Sequence, residues 1–285
     1  YNKDAFAEAG IETVPETWAD IEEMGLQIID SGAANHALSF GWPAWILEQM
    51  HAYHNKPYAN NDNGRSGRAS EVYLNRDFAK MVLGTWTDLV EKDVVAYGGR
   101  EYSANQDFLA GEVAMLIQST SSLSSIMESA DFEVGTTFLP RFEGQGIGNS
   151  VIGGASLWVM QGHSDEDYAA VVEFFKYLSK TDVTIQWHKD TGYFPSTNAA
   201  VKTLMDDRWF SDNPNYLTAF LQVLSGVQSP AANGVLLGNF VEIRDIVDTA
   251  VEEAFTGAAT AEEALDKADE QADKVLQDYT ELFGN

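Results

Sequence analysis

Groupings able to break or make covalent bonds are thin in this 285-residue chain, whereas residues suited to holding a small polar ligand recur along it. The five histidines are His36, His51, His54, His163 and His188. His51 and His54, at i and i+3, can share a helical face and a metal. No matched carboxylate motif accompanies them, and surface positions are expected for both. The absence of cysteine removes thiol nucleophiles, disulfides and thiolate-bound zinc. The "STSS" run at Ser119 to Ser122 lacks an obvious base, and no G-x-S-x-G elbow occurs. In "GQGIGN" the glycines Gly144, Gly146 and Gly148 alternate, but no strand leads straight in and no amphipathic helix follows. That segment reads as a flexible connection and not as a phosphate loop. The chain is therefore expected to be no enzyme and to carry no cofactor or metal.

The binding vocabulary is richer. "SFGWPAWILEQM" sets Trp42 and Trp45 three apart beside Gly41 and Pro43. Such indoles either stack on the apolar face of a polyol or sugar ring, or pack in the core. Trp45, with Ile46 and Leu47 beside it, is the better core candidate. "MLIQSTSSLSSIM" runs from a buried strand into hydroxyls at a helix start, where Ser119 either caps the helix or helps to seat an anion. "NSVIGGASLWVMQG" reads as a buried strand at Leu157 to Met160, entered through the bare backbone of Gly153 and Gly154. Those glycines mark either a tight bend or a place where a ligand presses on the main chain. In "TGYFPSTNAA" the Tyr193 hydroxyl either reaches a ligand or packs. Arg244 of "GNFVEIRDIVDTAVEEAF" stands among Glu242, Asp245 and Asp248, so a surface ion pair is one reading. A guanidinium forked onto phosphate or carboxylate is the other.

Helices must position most of these groups. "PETWADIEEMGLQIIDSG" has Thr17 as N-cap with Asp20 three residues on, an apolar stripe at Trp18, Ile21, Met24 and Ile28, and Gly32 as its stop. The same capping pattern opens helices at Ser164/Asp167 and Thr260/Glu263, and a further helical period runs through Phe78, Met81, Val82, Trp86, Leu89 and Val90. Strands are short and scattered: "HALSFG", "VAMLIQS", "FEVGTTFLP" and "GASLWVM". "NKPYANNDNGRSGRA" is expected to be an exposed loop. The class is α/β, without a regular βαβ series.

Charge narrows the partners. Lys and Arg number 17 against 44 Asp and Glu, a formal net charge of -27. Such a field repels nucleic acid and anionic lipid, so neither is expected as a partner. An anionic ligand would need its own cationic or amide-rich pocket. The chain opens on "YNKDAFAEAG" without Met, and is expected to lie within a longer protein whose leader segment is not part of this sequence.

"YNKDAFAEAGIETVPETWADI", "GWPAWI", "GEVAML", "VIGGASLWVMQG", "WHKDTGYFP" and "LGNFVEIRDIVDTAVEEAFTG" together resemble, in this order, the extracellular solute-binding proteins of ATP-driven importers. The resemblance covers essentially the whole chain. It implies a periplasmic-binding-protein-like fold of two α/β lobes (type II) closing on a ligand, here an N-terminally truncated chain with a near-complete C-terminal lobe. Residues 1–133 and 182–285 would form that lobe, and 134–181 would cross into the N-terminal lobe and return. It further implies a bacterial periplasmic monomer that hands ligand to the membrane permease subunits of an ABC importer. The ligand implied is glycerol-3-phosphate or a glycerophosphodiester, with a neutral sugar or oligosaccharide as the alternative. Carried over position by position, the contacts are Trp42 against the glycerol part and Ser119, the Gly154 amide, Tyr193 and Arg244 around the phosphate.

Overall fold

A computed structural model describes residues 1–100 and 102–284. The chain forms two compact units. One comprises Tyr1–Gln118, Asp131–Ile152 and Gln222–Asn285; the other comprises Ser119–Ala130 and Gly153–Leu221.

The first unit is built on two parallel strands, β1 (His36–Phe40) and β2 (Val113–Ile117), in register from His36 opposite Val113 to Phe40 opposite Ile117. Both strands bury nearly every residue, as a strand covered on both faces must. The Trp18–Ser31 helix lies against β1. It carries the expected capping box: Thr17 Oγ1 accepts from the Asp20 amide and Asp20 accepts from the Thr17 amide, each near 3 Å. Gly32 closes it in the left-handed conformation, φ 78°. The Asp77–Glu91 helix supplies Trp86, which is fully buried and packs its ring 5.0 Å from Phe40 and 5.8 Å from Trp18. The Phe240–Phe255 and Ala261–Phe283 helices pack on each other, and the first also packs on the Pro43–Tyr53 helix. Their apolar stripes, Ile243, Val247, Ala250 and Val251 with Leu265, Ala268, Ala272 and Leu276, complete the core.

The second unit is smaller and mostly helical: Leu123–Ser129, Asp165–Leu178, Thr181–Thr191 and Asn198–Asp206. The rings of Trp209, Phe210 and Tyr216 surround His188 at 5.1 to 5.7 Å. The Ser164/Asp167 capping box is formed, yet the helix it opens buries none of its residues.

Four local expectations are corrected. Leu157 to Met160 is no strand; it is irregular and open, with Trp158 88% exposed. A strand needs a hydrogen-bonding neighbour, and among the described residues none pairs with it. "FEVGTTFLP" contributes only isolated bridges, Val134 to Asn2 with Arg141 to Thr17 close behind. "GQGIGN" is docked, not loose: the Gly148 amide donates to Tyr53 O and the Asn149 amide to Ala52 O, at 2.8 and 3.2 Å. The loop after Lys56 is partly internal, because buried Asn63 accepts from the Tyr58 and Ala59 amides at 2.8 and 3.0 Å.

His51 and His54 are buried rather than on the surface. His54 Nδ1 donates to Gly146 O at 3.1 Å while Nε2 accepts the Phe142 amide at 3.2 Å, so both ring nitrogens serve packing. His51 Nδ1 donates to Pro57 O, and Nε2 is buried without a partner among the described residues. Among the described residues no group of His, Cys, Asp and Glu is arranged to hold a metal. Burial lowers the His51 pKa to about 4. The unfolded chain therefore takes up a proton below pH 6.5 that the folded state refuses. His51 contributes a loss of stability that begins near pH 6.5, grows as pH falls and levels off below about 4. Urea unfolding from pH 7 to 4 should show His51→Gln with a shallower acid loss than the parent. Proton NMR of the His51 ring should find it neutral from pH 7 downward until the pH nears about 4. Asp269, pushed up to about 6 by burial, acts oppositely in the same window, so the comparison must be made between the two proteins.

Candidate ligand-binding site

In the first unit the Pro43–Tyr53 and Phe240–Phe255 helices bring together residues far apart in sequence. Arg244 does not pair with its neighbours Glu242, Asp245 or Asp248. It forks onto Glu48, 196 residues away, with Nε to Oε1 at 2.8 Å and Nη2 to Oε2 at 2.7 Å. Glu48 is 7% exposed, whereas the Arg244 side chain is 41% exposed. The Phe240 ring lies 4.4 Å from the guanidinium carbon. One edge and one face of the guanidinium are thus held, which fixes its orientation. Burial pushes the Glu48 carboxyl up against the opposing pull of Arg244, and Glu48 pushes Arg244 higher still. One turn further on, Asp248 Oδ1 accepts the Ala44 amide at 2.8 Å.

Trp42 sits immediately before the Pro43–Tyr53 helix, at φ 57° and ψ 56°. A bulky residue in the left-handed region costs about 1–3 kcal/mol and persists only where its surroundings demand it. Its ring is half-buried and meets Tyr102 edge-on at 5.4 Å. Trp45 is also half-buried, against the core.

The second unit holds the other three candidates. Ser119 caps the short turn Thr120–Ser122, accepting from the Ser121 amide at 3.3 Å and from the Ser121 hydroxyl at 3.0 Å. Gly154 has φ 117°, open to glycine alone. A methyl there would meet Tyr193 Cε1 at 3.6 Å, an ordinary contact, so Gly154 is required by its backbone angle rather than by crowding. Tyr193 and Gly154 are accordingly neighbours. The Tyr193 carbonyl accepts from His188 Nδ1 at 2.6 Å, which ties its backbone to the aromatic cluster. Gly192 just before it takes φ 85°, with the Thr120 carbonyl 2.3 Å from where a Cβ would stand. This close approach sets Tyr193 beside the Ser119–Ser122 turn.

Arg244 therefore lies where the Pro43–Tyr53 and Phe240–Phe255 helices of the first unit meet, Trp42 stands at the start of the first of these helices, and Ser119, Gly154 and Tyr193 cluster in the second unit. Glu48 was not foreseen. Its signal was present: a single carboxylate inside the apolar run Trp45, Ile46, Leu47, Met50. Such a charge is buried only when paired.

Residues 1–218 match the family described as bacterial extracellular solute-binding protein. The chain belongs to that family. The sn-glycerol-3-phosphate-binding periplasmic protein UgpB of Rhizobium meliloti is 36% identical to this solute-binding protein over 279 residues, 97% of this chain and 65% of the relative. UgpB of Escherichia coli K12 is 35% identical over 284 residues, again spanning 65% of the relative's length. Among solved structures, UgpB from Mycobacterium tuberculosis in complex with glycerophosphocholine superposes with TM-score 0.76 at 19% identity, over 98% of this chain and 68% of that one. The GacH receptor of Streptomyces glaucescens gives TM-score 0.79 at 19% identity, with the same two coverages. These likenesses show the α/β fold of the periplasmic solute-binding proteins, in agreement with the expected class. Among the described residues no helix is long and apolar enough to cross a membrane.

Proposed function

We propose that this solute-binding protein captures glycerol-3-phosphate or a glycerophosphodiester in the bacterial periplasm and delivers it, as a monomer, to the membrane permease subunits of an ABC importer. Trp42, Ser119, Gly154, Tyr193 and Arg244 are the proposed ligand contacts. Residues 1–133 with 182–285 are proposed as the two parts of a C-terminal lobe, and 134–181 as the crossover and part of an N-terminal lobe. The protein binds its solute without transforming it.

The immobilised guanidinium of Arg244 carries this reading. In a chain bearing -27 formal charges, a forked, half-exposed arginine backed by an aromatic ring is a rare place for an anion to bind. A phosphate monoester carries about -1.5 to -2 charges near neutral pH, and charge-assisted bonds from one guanidinium, amides and hydroxyls can hold it. Repulsion from the distant acidic surface is screened beyond roughly 8–10 Å at physiological salt. The relatives at 35–36% identity are named for glycerol-3-phosphate, which favours a phosphate ligand over the sugars bound by more distant structural neighbours. Calorimetry with glycerol-3-phosphate, glycerophosphocholine and maltose decides between them. Binding of either phosphate compound without maltose is expected; maltose binding alone would replace this reading with the oligosaccharide one.

A further inference from the structure

We infer that Glu48 determines specificity for the charge of the bound phosphate: it positions Arg244 and cancels most of its field, so the site favours a singly charged phosphate over a doubly charged one. This rests on the proposal that Arg244 contacts the ligand.

The argument starts from what a guanidinium facing a phosphate would ordinarily offer, a full positive charge. Here that charge has a carboxylate on it already. Both Glu48 oxygens accept from Arg244, at 2.8 and 2.7 Å, and the carboxylate is 7% exposed. Water therefore screens the Glu48 charge poorly, and an anion approaching the outer edge of Arg244 feels both charges. The surroundings add to the negative side. Asp248 stands one turn along the same helix with its carboxylate on the Ala44 amide, and Glu252 follows a turn later, itself held by Arg100 at 2.6 Å. Tyr58, buried near Glu48, has its phenol pushed well up and stays neutral. Carboxylates outnumber guanidiniums along this seam. A second negative charge on the ligand gains little from Arg244 and is repelled by Glu48 and Asp248.

The burial of Glu48 is what distinguishes this device from a surface ion pair. An exposed partner would be screened and would leave the arginine's field nearly intact. A buried one acts at the full strength of a poorly screened interior. The same pair also holds the fork still, so an anion pays less ordering entropy on binding. Positioning and charge cancellation have separable consequences. Loss of positioning weakens every phosphate ligand alike, whereas loss of the Glu48 charge changes their ranking.

The test compares sn-glycerol-3-phosphate with its phosphomethyl ester, which has the same glycerol and one charge fewer. Calorimetry at pH 7.5 on the whole protein should find the ester bound at least as tightly as the monoester. In Glu48→Gln the ratio of the two affinities should move at least fivefold toward the monoester. In Glu48→Asp, which keeps the charge and shortens the reach, both affinities should fall while the ratio stays within twofold of the parent. The parent alone offers an independent readout, needed if Glu48→Gln fails to fold. The monoester takes up its second proton near pH 6, whereas the methyl ester does not titrate there. Its affinity relative to the ester should therefore rise at least threefold from pH 7.5 to 5.5, and the ratio removes any protein titration common to both ligands. A ratio unmoved in Glu48→Gln, or one that is flat in the parent across that pH range, overturns the role of Glu48. Parent protein that binds neither compound overturns the phosphate reading itself, and this inference with it.

Discussion

Arg244→Ala is expected to lower the affinity for glycerol-3-phosphate at least tenfold in calorimetry, a loss of about 1.4 kcal/mol or more. The figure is a floor, since hydrogen bonds to charged groups contribute about 1.5–3 kcal/mol each. The same substitution strands Glu48, which is 7% exposed and loses both of its charge-assisted bonds. Breaking a buried pair by removing one partner costs about 3–5 kcal/mol, so the variant should also unfold at lower urea. The two losses can be separated. Replacing both members, Arg244→Met with Glu48→Leu, removes the buried charge along with its partner and should recover most of the stability. Binding should not recover. Retained affinity in folded Arg244→Ala would remove Arg244 from the ligand.

Trp86→Ala is expected to cost about 3–5 kcal/mol, the range for deleting a fully buried aromatic side chain. Trp86 is 0% exposed and links Phe40 of β1 with Trp18 of the adjoining helix, so the cavity would open where three elements meet. Trp86→Phe should cost much less than the alanine variant. Phenylalanine keeps part of the ring and removes the Trp86 indole N–H, which is buried without a partner among the described residues. An unsatisfied buried donor costs about 1–3 kcal/mol, and its removal offsets part of the lost volume. Urea midpoints for the three proteins give the ordering directly. A phenylalanine variant as damaged as alanine would show that ring shape, not the orphan donor, dominates at this position.

Helix ends were the most legible features because capping is a local matter. Thr17 with Asp20, Ser164 with Asp167, and Thr260 with Glu263 all form reciprocal boxes. Each joins groups three residues apart, and the chain needs no distant help to form them. Leu157 to Met160 failed for the converse reason. Its apolar, β-favouring composition describes a surface that wants covering, but whether it becomes a strand depends on a neighbour elsewhere. His51 and His54 were misplaced because a histidine's polarity says little about burial once its nitrogens find carbonyls. His51 sits on, and His54 ends, a helix whose residues from Ile46 to Tyr53 are all buried.

The candidate site divides along the same line. The residue types suited to a ligand, an indole beside a Pro-Gly turn, a lone arginine in an acidic helix, a bare glycine and a tyrosine after Gly192, are composition and could be read one by one. Family membership was equally legible, since it resides in the order of short motifs. The partner of Arg244 was not. Choosing Glu48, 196 residues away, over the three carboxylates beside it required the packing of two helices. Side chains at i+1 and i−2 on a helix point away from one another, and Asp248, though on the same face, is drawn to the Ala44 amide. Local spacing could name the guanidinium; only the meeting of two remote segments in a poorly screened interior could assign its counter-charge.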